Sequence, residues 1–198
     1  MKILALFMLL VLLPISTAST YTLGSHQVSF NVSEPYNSSA KIGLPTYVPE
    51  GDSWMYKLEM APNDEDLITI TVIELPPNGV SSGGWLKTFI SSHLKLLQEI
   101  GIGDHKYSTM DFRGYSAYQE SFPAQTVSTT NGSAQYPASR ALTYALDERT
   151  VVTVVAMGDK INVPYQEILD TIEVTEASTK PTKYAPYIST TNGNGSKA

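Results

Sequence analysis

Residues 85–100 read WLKTFISSHLKLLQEI, and along them the hydrophobic spacing changes from two to 3.6. Leu86, Phe89, Ile90, His93, Leu94, Leu97 and Ile100 fall on one stripe, with Lys87, Ser91, Lys95, Gln98 and Glu99 away from it. That is an amphipathic helix with one face to bury. Ser81 or Ser82 is placed to cap its start and Gly101 to end it. The patterns on either side have strand spacing. This helix therefore stands between two groups of strands, and an α+β fold follows.

Upstream, Trp54, Tyr56, Leu58 and Met60 share one strand face. The β-branched run Leu67–Leu75 returns after the turn residues Pro62-Asn63-Asp64-Glu65-Asp66, which predicts an antiparallel hairpin. His26, Val28, Phe30 and Val32 alternate with polar residues and predict an opening strand. Residues 34–52, with three prolines, are expected to be mostly irregular. Downstream, Tyr107–Phe112 and Tyr115–Phe122 read as strands around Arg113-Gly114. Residues 123–138, almost without apolar anchors, predict a long exposed loop.

Ala141–Leu146 and Thr150–Met157 form a further hairpin, and valines on both faces of its second strand place it mid-sheet. Tyr165, Ile168, Leu169 and Ile172 mark a short closing helix. The expected architecture is α+β, mainly antiparallel, with one long central helix and a short C-terminal one.

The ends have a different chemistry. Met1-Lys2, the apolar run Ile3–Leu13 and Pro14-Ile15-Ser16-Thr17-Ala18 follow the plan of a secretory signal peptide. That run is too short to cross a bilayer, which takes about 20 apolar residues. Residues 1–18 are thus read as a signal, 19–175 as one α+β domain, and 176–198 as a disordered polar tail without a membrane anchor. Within the tail, Tyr184-Ala185-Pro186-Tyr187-Ile188 is a lone apolar segment, suited to docking at a sheet edge. The expected address is secreted or extracytoplasmic, and cell-surface association is compatible with it.

A net charge of −6 and the lack of a basic tract argue against nucleic acid as a partner. The chain has no cysteine, which excludes thiol catalysis and thiolate metal sites. The three histidines, His26, His93 and His105, lack the spacing of a zinc motif, and His93 reads as a core-edge residue. Asp64, Glu65 and Asp66 lack the rest of a calcium loop and read as a solvated turn. No metal or cofactor is expected.

Gly79-Val80-Ser81-Ser82-Gly83 matches G-x-S-x-G formally, but Pro76-Pro77-Asn78 separates it from the strand that an elbow needs. A capping serine explains it as well as a nucleophile does. Asn31, Asn37, Asn131 and Asn194 head N-x-[ST] sequons and are candidate glycosylation sites.

Val28-Ser29-Phe30 in the opening strand, the helix near 85–100, and the ending from Val151 to Ile172 give the chain a further likeness. In that ending a valine-rich strand leads to Tyr165-Gln166-Glu167-Ile168-Leu169-Asp170-Thr171-Ile172. This order resembles the PsbP-like fold over roughly residues 21–175. That family includes accessory proteins of photosystem II, a Ran-binding import factor and many small secreted prokaryotic proteins. It has no shared catalytic residues, and its characterised members mostly bind other proteins. The resemblance implies a non-catalytic binding or accessory domain whose partner is another surface or extracellular protein. Two alternatives stand beside it: an extracellular serine hydrolase using Ser81, and a structural surface component retained through its tail.

Overall fold

In the computed structural model, which describes residues 18–129 and 132–178, the β-branched runs become the middle of an antiparallel sheet. All but Ala18 of the expected signal at residues 1–18, the sequons at Asn131 and Asn194, and the segment Tyr184–Ile188 lie outside the described residues.

The chain order begins with β1 (Ala18–Leu23), β2 (His26–Asn31), α1 (Tyr36–Ser39), β3 (Ala40–Ile42) and β4 (Thr46–Val48). The hairpin β5 (Ser53–Met60) and β6 (Leu67–Glu74) leads to α2 (Ser82–Ile100). There follow β7 (Lys106–Phe112), β8 (Tyr115–Phe122), β9 (Gln125–Thr129), β10 (Gly132–Tyr136), β11 (Ser139–Ala145) and β12 (Thr150–Met157). The described chain closes with α3 (Asn162–Thr171) and β13 (Glu173–Glu176).

The large sheet runs β3-β5-β6-β12-β11-β8-β7, with β4 also paired to β5. β12 lies between β6 and β11, as its two apolar faces require, and Val152 and Val154 are fully buried. A second sheet, β1-β2-β13, joins α3 on one face of the large one. There Val28, Phe30, Tyr165 and Ile168 meet Leu58, Ile70, Val72 and Leu142 in the main core. Full burial of such side chains stabilises by about 1.5–3 kcal/mol each. α2 lies on the other face.

Several sequence expectations need correction. Residues 34–52 are not simply irregular: α1, β3, β4 and a 3₁₀ turn at Pro49–Gly51 occupy them. The outer edge of β5 recruits Ala40–Ile42 and Thr46–Val48 as pairing partners, and three-residue strands are too short to show a period. The long loop expected at 123–138 is largely a hairpin. β9 and β10 pair from Gly132↔Thr129 to Tyr136↔Gln125, and Val127 is buried against Leu97 and Ile102. Val127 and Tyr136 are the hairpin's apolar anchors, too few for hydrophobic patterning to reveal it.

Two boundaries also move. A strand ahead of His26, β1, pairs with β2 across Gly24-Ser25. At the other end β13 pairs Glu176 with His26, and Ala177 N donates to Ser25 O at 2.8 Å, so order continues past residue 175. Among the described residues no helix is long and apolar enough to cross a membrane.

Candidate functional site

α2 starts as its sequence dictates. Ser81 is the N-cap and its hydroxyl accepts from Gly84 N at 3.3 Å. Ser82 N donates to Glu148 O at 2.9 Å and its hydroxyl donates to Asp147 O, which pins this end to the β11–β12 turn. Gly101 ends the helix with φ 81°, in the left-handed region that favours glycine. Spacing of four residues stacks Trp85 on Phe89 and Phe89 on His93, with ring centroids 5.1 and 5.3 Å apart.

The stack ends on Glu120. Alternation along β8 turns Tyr118, Glu120 and Phe122 toward α2, and burial leaves Glu120 only 7% exposed. His93 Nε2 lies 3.0 Å from Glu120 Oε1, and His105 Nε2 lies 3.4 Å from Oε2. Tyr118 OH donates to Oε2 at 3.0 Å. An ionised carboxylate only accepts, so both imidazoles carry the hydrogen on Nε2 when they bond it.

Burial alone would raise the Glu120 pKa. The hydrogen bond and charge of His93, followed by the bonds from Tyr118 and His105, outweigh burial and hold the carboxyl below its ordinary range. Burial, then the charge of Glu120, pushes the Tyr118 hydroxyl far above an ordinary phenol. At neutral pH the cluster is therefore a carboxylate, a neutral phenol and the two histidine donors. Its acceptor is engaged by three donors, which suits fixed recognition better than proton transfer. Among the described residues no group of three His, Cys, Asp or Glu side chains is arranged to hold a metal ion.

Beside the cluster lies a cavity of about 310 Å³ between α2 and the sheet. Phe89, Leu97, Ile102, Ala141 and Val155 supply apolar walls, and Leu96, 50% exposed, stands at its margin. A larger depression, about 460 Å³, sits at the nearby sheet end, where Asp104 and Asp159 offset Lys106 and Arg140. Its charges are mixed and solvated. The cavity under α2 is the candidate site because a buried, hydrogen-bonded polar cluster sits in an apolar wall.

The other sequence candidates go elsewhere. Ser81 is exposed and serves as the helix cap, and among the described residues no histidine bonds its hydroxyl. His26 is buried beneath the β1–β2 turn, with Nδ1 3.4 Å from Glu74 Oε1 and Nε2 3.3 Å from Thr150 Oγ1. Ser25 donates to the same Glu74 oxygen through N and Oγ, each at 2.6 Å. This second cluster fastens a hairpin.

Asp66 corrects the expectation of a solvated acidic turn. It is 4% exposed and accepts from Asn63 Nδ2 at 3.0 Å and Lys160 N at 3.2 Å, tying the β5–β6 turn to the loop after β12. Asn31 is half-buried on β2. Asn37 lies in α1 rather than a loop, and its Oδ1 accepts from Ser19 Oγ at 2.5 Å.

Sequence reasoning missed Glu120 as the meeting point. The available signal was an acid sharing a period-two face with Tyr118 and Phe122.

Among solved structures, the chain is similar to the solution structure of cyanobacterial PsbP (CyanoP) from Synechocystis sp. PCC 6803, with 10% identity and a TM-score of 0.46. The match covers 82% of this chain and 99% of that one. No family model matches. No curated protein matches either.

Proposed function

We propose that the chain is a secreted or cell-surface, non-catalytic binding domain that recognises another extracellular protein through the α2 face. The observation carrying this reading is the apolar cavity under α2, bordered by the exposed Leu96 and by a polar cluster whose carboxylate already accepts from three donors. Such a place takes in an apolar side chain, beside a carboxylate already held by three donors. Export rests on the plan of residues 1–18, and glycans at Asn31, Asn37, Asn131 or Asn194 would be added along that route.

The test is capture from the surface fraction of the native host, using protein that starts at Ser19. Wild type should retain a partner protein, and Leu96→Asp should weaken retention at least about tenfold, as loss of one interface anchor does. Equal retention by both proteins removes α2 from the interface. Ester, peptide and glycoside substrates should show no turnover, and an activity lost in Ser81→Ala would establish the hydrolase instead.

A further inference from the structure

At the β5 edge of the large sheet, Ile42 is 56%, Leu44 89% and Tyr47 44% exposed. The Tyr47 ring lies 5.2 Å from that of half-buried Trp54, its partner across β4–β5. Aliphatic and aromatic side chains are thus gathered on β3, β4 and the loop between them. We infer that this edge is the docking site of the chain's own segment Tyr184-Ala185-Pro186-Tyr187-Ile188.

The described chain ends beside it. β13 starts near Arg113, whose guanidinium donates to Ile172 O at 2.7 Å, and runs toward the β1–β2 turn. There Ala177 N donates to Ser25 O, Ser25 N donates to Glu74 Oε1, and Glu74 is the register partner of Trp54. Two main-chain steps of about 5 Å, and one of about 7 Å across the Glu74 side chain, put Trp54 within about 17 Å of Ala177. Residues 178–183, extended at about 3.3 Å each, reach about 20 Å. The segment follows directly.

Its chemistry fits the edge. Two tyrosines and an isoleucine match the aromatic and aliphatic side chains awaiting cover. Lys180 and Lys183 in the spacer bring positive charge toward Asp52, which lies beside Tyr47 at this edge. Pro186 lacks an N–H, so docking relies on side chains rather than a full ladder. Tethering gives the segment a millimolar-order effective concentration, which favours it over free competitors.

The test compares the chain starting at Ser19 with a version ending at Ser178 and with the double variant Tyr187→Ser, Ile188→Ser. Amide exchange over residues 42–54 should accelerate about tenfold in both altered proteins, as loss of a local cover does. In a Trp85→Phe background, Trp54 emission should shift to the red and become more accessible to quencher. If that background fails to fold, the exchange measurement decides alone. Unchanged exchange in both altered proteins overturns the inference. So does protection of 42–54 that appears only at raised protein concentration, which means a second copy, or only with host surface protein, which means a partner.

Discussion

The large sheet is filled differently on its two faces. Toward β1, β2, β13 and α3, side chains such as Phe30, Ile70, Val154 and Ile168 lose nearly all contact with solvent. Toward α2, only Leu86 and Leu97 among the apolar stripe are buried, while Phe89, Ile90, Leu94 and Ile100 stay half-buried. A cavity remains there, bordered by a charged group. One face is built for cohesion. The other trades packing for a site, since well-filled interiors leave few voids larger than a water molecule.

The hardest blow to this contrast falls on the packed face. Val154→Asp buries an unpaired charge and should cost at least about 4 kcal/mol, enough to unfold a marginal domain. Urea denaturation measures it, and wild-type stability in this variant would mean that β12 is not central.

Enlarging an alanine on each face sharpens the comparison. Ala156 is fully buried on the packed face, so Ala156→Leu should destabilise by about 1–3 kcal/mol. Ala141 lines the cavity, so Ala141→Leu fills existing space and should change stability by less than about 1 kcal/mol. Equal penalties would show the two faces to be equally packed.

The pH dependence examines the charged group at the looser face. The Glu120 pKa is depressed on folding, so its ionised form contributes stability above the unfolded carboxyl value of about 4.3. That contribution is lost as pH falls through the lower folded value. Glu120→Gln should cost about 1–3 kcal/mol at pH 7, with the gap to wild type closing below about pH 4.3. Thermal melts across that window report it. A gap that does not begin to narrow as pH falls below about 4.3 would mean the glutamate acts through its shape rather than its charge.

The smallest effect belongs to the cap. Ser81→Ala removes the bond to Gly84 N and should lower stability by about 1 kcal/mol, read from chemical denaturation. No loss would show that the contacts of Ser82 alone hold that end of α2.

Local sequence determined the pieces whose physics is local. The 3.6 spacing of residues 85–100, with Ser81 and Gly101 at its ends, specified α2. Alternation specified β2 and β5, the strands around Arg113-Gly114 gave β7 and β8, and the two-faced valine run placed β12 at the centre. Pairing that depends on an available edge was not legible. β3 and β4 exist because β5 offers bonds, and β9–β10 holds to the body of the protein through Val127, Tyr136 and the bonds of Gln125 to Gly103.

The candidate site lay further still from view. Each of its residues had a legible place, His93 on a helical stripe and Glu120 on a strand face. Their meeting required α2 to fold back across β8, joining positions 27 residues apart, while His105 entered from 15 residues away. Periodicity reports which side of an element is buried. Which side chains then share that buried space is decided by packing, because a buried carboxylate must find donors wherever the fold brings them.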